Sequence, residues 1–227
     1  MKIVDRLRFK IIDMDKTILA IETSSSICSV SLFKNKKNID VLENDTDRKH
    51  AEVLPGFVIS LLENNQLKIK NIDAIAVSIG PGSFTGLRVG LSFAKGLAYA
   101  IKCPIIPVPT ILAMAYGLRF KKPSSGIIKS HGEKIFFQEF IWNKQVPLIK
   151  DKPVLGNIYN YLEKIKNGFH YNCEEFLISI ENIYCAKPSA KNIATLANIY
   201  FQQWNIPKPY NLTSEYIYPY IVKSYER

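Results

Sequence analysis

The 227-residue sequence is poor in the residue pairs from which metal and redox sites are usually built. Its four cysteines, Cys28, Cys103, Cys173 and Cys185, form no CxxC pair, which excludes zinc ribbons and dithiol redox motifs. No secretory signal precedes them, so a reduced, cytoplasmic setting is expected. The three histidines, His50, His131 and His170, stand in neither HxxxH nor HExxH spacing, and no catalytic zinc site is expected from them. His50, in the string HAE, reads as a surface or cap residue. Acid is scarce in the second half, where Asp151 is the only aspartate after Asp73, so paired carboxylates for acid–base work are lacking. Ser83 sits in GPGSFTG rather than in a GxSxG elbow, and no hydrolytic nucleophile is assigned; the catalytic set is empty.

Long apolar runs are also missing. The most apolar region, 91–118, is cut by Lys95, Lys102, Pro104, Pro107 and Pro109. It falls short of the roughly 18 uncharged residues that a spanning helix needs, so no membrane partner is expected. Residues 1–13 are basic, lack the apolar core of about 7–15 residues that marks a signal peptide, and read as a misread start or a frayed extension. Arginine is scarce too. The net charge is +10, but only 6 of the 30 basic residues are Arg, while Ile (31) and Asn (16) are abundant. Lys, Ile and Asn rising together point to nucleotide-composition bias, since Arg is the usual reader of phosphate and guanine. If RNA is touched directly, Lys121, Lys122, Lys129 and Lys134 are the candidates.

What is present is a globular composition, 47% hydrophobic and 22% charged. Short apolar runs at 17–22 (TILAIE), 27–33 (ICSVSLF) and 38–42 predict a meander of three strands. Asp47 is the expected cap of a helix with Ala51, Leu54, Phe57, Val58, Leu61 and Leu62 on one stripe, interrupted by Pro55. A buried strand at 72–78, parallel to the first, leads into a helix over 84–101. A strand at 105–108 and a helix from a Thr110 cap to Gly117 follow. This β-β-β-α-β-α order, continued by β-α, is the pattern of an actin-like half. Residues 121–126 (KKPSSG) read as a boundary, 135–142 as a strand and 143–175 as irregular. Ser189 caps a late helix, about 189–204, on which Ile193, Leu196, Ala197 and Tyr200 share a face, and 215–222 is an extended tail. The expected division is 14–116 and 117–227.

The segment 79–90 (IGPGSFTGLRVG) admits two readings. A strand entering a Gly-rich turn and a helix offers backbone N–H groups to an anion, which makes Gly80, Gly82, Ser83, Thr85, Gly86 and Arg88 candidate phosphate or nucleotide contacts, with Glu22 as the acid after the first strand. It is neither a P-loop nor a dinucleotide fingerprint, and no glycine follows Glu22 to bring backbone close to phosphate. The second reading is packing. Gly86, Gly90, Ala94 and Ala98 form a stripe nearly free of side chains, and helix-interior glycines cost about 1 kcal/mol each. Such a stripe admits a close helix neighbour, from this chain or from a partner, and spacing alone leaves the two open.

ILAIETSSSICSVSL, HAEVLP, IDAIAVSIGPGSFTGLRVGLSFAKGLA and PVPTILAMA resemble the TsaB (YeaZ) family, densely over residues 17–116 and loosely beyond, where PSAKNIATLA and 218–222 are similar to its late helix and last strand. The resemblance implies an α/β, actin-like (ASKHA, ribonuclease H-like) fold of two related subdomains, the second reduced. It implies a non-catalytic subunit of bacterial tRNA threonylcarbamoyladenosine synthesis that pairs with the catalytic TsaD and forms with it the docking surface for TsaE. TsaC belongs to the same pathway, tRNA is met through the complex, and a homodimer is expected when the chain is alone. It implies no intrinsic cofactor, with ATP or ADP at the complex interface. Pairing through the first two helices would use Gly86, Gly90, Ala94, Ala98, Leu87, Leu91, Ala51, Leu54 and Val58 as the seam. Lys129-Ser130-His131 departs from the acidic-then-Arg turn common in the family. The alternative reading is a stand-alone actin-like ATPase or kinase, or a metallopeptidase-like enzyme.

Overall fold

Alternating small and branched apolar residues build the first sheet, seen here in a computed structural model that describes residues 16–46, 49–178 and 182–213. Residues 1–13, the expected Asp47 cap and the tail at 215–222 lie outside the described residues. Strands β1 (Ile18–Glu22), β2 (Ile27–Lys34) and β3 (Lys37–Asp45) form the antiparallel meander. β4 (Ala74–Ser78) and β5 (Ile105–Val108) extend it in parallel, in the order β3-β2-β1-β4-β5.

Side-chain alternation divides this sheet between two cores. Leu19, Ile21, Cys28, Val30 and Leu32 face helices α1 (His50–Asn64) and α2 (Phe84–Ile101). Ile18, Ala20, Ile27 and Phe33 face helix α4 (Ala190–Ile199) and share a core with helix α3 (Thr110–Gly117). Pro55 does not interrupt α1. Leu54, Val58, Leu61 and Leu62 bury one face of the helix against the sheet, and that burial outweighs the lost backbone bond. Thr110 is not the cap of α3: Pro109 holds that position, and Thr110 is the first helical residue.

The second sheet repeats the first. β6 (Ser125–His131), β7 (Lys134–Asn143), β8 (Val146–Ile149), β9 (Val154–Asn157), β10 (Phe169–Tyr171) and β11 (Tyr184–Cys185) run in the order β11-β10-β6-β7-β8, with β9 also on β7. β6 and β7 are antiparallel, whereas β10 and β11 add in parallel, as β4 and β5 do on β1. Ser125 and Gly126, expected in a boundary, thus begin a strand, and the stretch expected to be irregular holds β8, β9 and β10. Where the first sheet carries α1 and α2, the second is covered by short 3-10 turns at Ile158–Asn160 and Glu174–Phe176, over a small core of Ile127, Ile135, Phe137, Ile158, Ile165, Cys173 and Leu177.

The two units exchange helices. α3 follows the first sheet yet packs on β6 and β8, while α4 follows the second and lies across β1 and β2. The N-terminus of α4 is tied down by the first sheet. The Ala190 N–H donates to Ser29 Oγ at 3.0 Å, and the Ser29 and Ser189 hydroxyls both donate to Glu43 Oε2, at 3.0 and 2.8 Å. A carboxylate at a helix N-terminus is favoured by the helix dipole. A short helix α5 (Phe201–Trp204) then leads Ile206 back to pair with Ile105. No helix among the described residues is long and apolar enough to cross a membrane.

Candidate functional site

The glycine-rich turn between β4 and α2 is closed from within. Gly80 has φ +109°, a backbone conformation that L side chains avoid, and its carbonyl accepts the Thr110 N–H at 2.8 Å. Its peptide bond to Pro81 is cis. The Ser83 hydroxyl caps α2 by accepting the Gly86 N–H at 3.2 Å, and the Ser83 N–H donates to the Ser24 carbonyl at 2.7 Å. A Cβ on Gly82 would lie 2.3 Å from the Ser24 carbonyl oxygen, one on Gly86 2.0 Å from that of Thr23, and one on Gly90 2.2 Å from Thr23 Oγ1. The three glycines therefore make room for this chain's own turn at 22–26.

Glu22 is 1% exposed. It accepts the Ser24 N–H at 2.5 Å and the Ser78 hydroxyl at 3.0 Å. Burial pushes its carboxyl above the ordinary carboxylate range, and these hydrogen bonds pull partly back. Of the candidate phosphate contacts, Glu22, Gly82 and Gly86 are thus engaged inside the fold. Ser83, Thr85 and Arg88 reach the surface, where the Arg88 guanidinium lies 3.7 Å from the Phe84 ring centroid.

The small-residue stripe faces inward. Gly86, Gly90, Ala94, Ala98, Leu87 and Leu91 on α2, and Leu54 and Val58 on α1, are all buried in this chain. The stripe lets α2 approach Thr23, β4 and α1 closely, as the packing reading describes. Of the seam residues expected from the resemblance, only Ala51 is exposed. The outer face of the same two helices has a different character. Ile59 is 56% exposed and Tyr99 74% exposed, and a Cβ on Gly56 or Gly96 would meet nothing within 4 Å. Two helix-interior glycines therefore lie on a surface that needs no clearance within the monomer. Their signal in the sequence was their position off the buried stripe.

His50 is not a surface residue. It is 5% exposed, with Nδ1 3.1 Å from Thr46 Oγ1 and Nε2 2.8 Å from the Ser25 carbonyl, and it ties the start of α1 to the turn after β1. Among the candidate RNA contacts, Lys129 is paired with Glu175 at 2.6 Å and Lys121 lies 5.8 Å from the Tyr184 ring centroid.

Comparison with known proteins agrees with this architecture. The family described as TsaD, tRNA N6-adenosine threonylcarbamoyltransferase, matches residues 41–137. A protein of Buchnera aphidicola subsp. Schizaphis graminum, named tRNA threonylcarbamoyladenosine biosynthesis protein TsaB, is 35% identical over 194 residues, which cover 79% of this chain and 92% of that one. The protein of the same name from Haemophilus influenzae is 32% identical over 131 residues, 56% of this chain, and the match spans only 55% of the relative's length. A crystal structure from Pseudomonas aeruginosa, described as similar to peptidase YEAZ, superposes with a TM-score of 0.78 at 19% identity, covering 89% of this chain and all of the other, and so shares the fold. With two sheets of repeated ribonuclease H-like order, helices exchanged between them and identity along most of a curated relative, this chain belongs to the TsaB family, on an actin-like α/β fold.

Proposed function

We propose that this chain acts in tRNA threonylcarbamoyladenosine biosynthesis as a non-catalytic scaffold that binds and activates a TsaD-type transferase through the outer face of α1 and α2. With that partner it would form the surface on which TsaE docks, and it would meet tRNA through the complex. The observation that carries this reading is the exposed pair Ile59 and Tyr99 on helices whose interiors also hold Gly56 and Gly96, with open space above both glycines. Interior glycines cost about 1 kcal/mol each against alanine. Gly56 and Gly96 contribute no clearance inside the monomer, and close approach of a partner helix gives them a use. Such an interface would bury on the order of 1,600 Å² in total.

The test is co-purification with the TsaD-type protein of the same organism. Wild type is expected to form a stoichiometric complex, while Gly96→Leu and Tyr99→Glu are expected to lose it and remain folded. Retention of the complex by both variants overturns this placement of the interface, and failure of wild type to bind overturns the scaffold reading. The enzyme alternative predicts ATP turnover by the chain alone, abolished in Glu22→Gln. Packing of Thr23 and Ser24 against Gly82 and Gly86 argues against it, because the backbone that would cradle phosphate is occupied.

A further inference from the structure

At the edge of the second sheet three side chains of different chemistry converge. Parallel pairing of β10 with β11 sets His170 directly beside Cys185, and Glu174 follows in the 3-10 turn after β10. Glu174 Oε1 lies 3.9 Å from His170 Nδ1 and 3.8 Å from Cys185 Sγ, and the three donor atoms all fall within 4.8 Å of one another.

The imidazole is the second observation. His170 is 6% exposed, and its Nδ1 is buried without a hydrogen-bond partner. A separation of 3.9 Å to Glu174 is too long for a hydrogen bond. A buried nitrogen left unpaired costs desolvation free energy and calls for a partner. The adjacent Glu175 is held by Lys129, which leaves Glu174 as the acid turned toward the cluster.

We infer that His170, Glu174 and Cys185 bind a zinc ion, as three protein ligands with the fourth position open to water. Nitrogen, thiolate and carboxylate together suit a borderline, tetrahedral cation rather than magnesium or calcium. Around tetrahedral zinc such ligand atoms stand roughly 3.3–3.6 Å apart, from bond lengths of about 2.0–2.3 Å. The two separations from Glu174, 3.9 and 3.8 Å, are slightly longer, and the three atoms together fall within 4.8 Å. Glu174 and Cys185, both exposed, can close the difference by side-chain rotation, while the sheet holds His170. The ion would clamp β11, which pairs through two residues only, to β10 and to the 3-10 turn between them.

The test uses the full chain without an affinity tag, stripped with a chelator and titrated with zinc chloride against a chromophoric competitor. One zinc per chain is expected. Cobalt is expected to give the thiolate charge-transfer absorption of a cysteine-ligated site. Cys28, Cys103 and Cys173 are buried, so that band reports Cys185. Cys185→Ser should abolish the band and weaken zinc binding at least tenfold. Glu174→Gln should weaken binding and keep the band. Both substitutions are at exposed positions, and thermal unfolding of each metal-free variant checks that it is folded. Absence of stoichiometric zinc, zinc bound equally by wild type and Cys185→Ser, or a cobalt spectrum without the thiolate band would each overturn the assignment.

Discussion

Thr23 and Gly86 interlock. The Thr23 hydroxyl donates to the Gly86 carbonyl at 2.8 Å, and the Thr23 carbonyl oxygen occupies the place where a Cβ of residue 86 would be. Through this contact the turn after β1 is welded to the first turn of α2, and the loop that resembles an anion cradle becomes part of the packed core.

Gly86→Ala should destabilise the chain, because a Cβ 2.0 Å from a backbone oxygen can be relieved only by moving backbone. Overpacking of this kind costs about 1–3 kcal/mol. Gly96→Ala, with open space around it, should stabilise by about 0.5–1 kcal/mol through helix propensity. Urea unfolding of the two variants beside wild type reads both. Equal effects would contradict the distinction between the two faces of α2.

Gly90→Leu should prevent folding rather than only partner binding, since the side chain would have to displace Thr23. Circular dichroism and size-exclusion chromatography distinguish this from a folded monomer that merely fails to pair.

The buried Glu22 should impose a pH dependence of known sign. Its folded-state pKa is raised above the ordinary carboxylate value of about 4.5 by burial, so the folded state holds the proton more tightly than the unfolded state. Its favourable contribution is complete below about 4.5 and is lost as pH rises through the folded value. Glu22→Gln removes that titration, so its stability relative to wild type should increase as pH rises above about 4.5. A constant difference across that window in chemical denaturation would contradict it.

Thiol chemistry should separate the four cysteines. Burial pushes Cys28 and Cys103 up to about 11 and Cys173 up to about 12, which keeps them as thiols out of reach of reagents. One equivalent of an aromatic disulfide reagent is expected to react with the native, metal-free chain, at the exposed Cys185, and four after unfolding.

Leu196, fully buried on α4, joins the two units. Leu196→Ala should cost about 2–5 kcal/mol, as large-to-small changes in packed cores do. A single cooperative transition shifted to lower denaturant is expected. Two separate transitions would show that the exchanged helices do not couple the sheets.

The first half of this fold was legible in the sequence because its elements carry their own signals. β1 and β2 alternate, β4 and β5 are short apolar runs, and α2 matched its expected span at both ends, helped by the Ser83 cap. In the second half the strands are short and their partners distant. β10 has three residues and β11 two, so cross-strand pairing holds them, and a local window contains no trace of it. The direction of the glycine stripe was not readable for a related reason. A repeat of four residues places side chains on one helix face but does not say what that face meets. Thr23, 63 residues before Gly86, decides that.

The sequence by itself determined the family, the order of the first eight elements and the positions where backbone must come close, because these depend on local pattern and residue type. Only the tertiary structure decided that the stripe is internal, that Glu22 and His50 are buried, that α3 and α4 each pack on the other unit's sheet, and that His170 and Cys185 are neighbours. Each of these rests on which segments meet across the chain, and that is set by burial of all the faces at once rather than by any one of them.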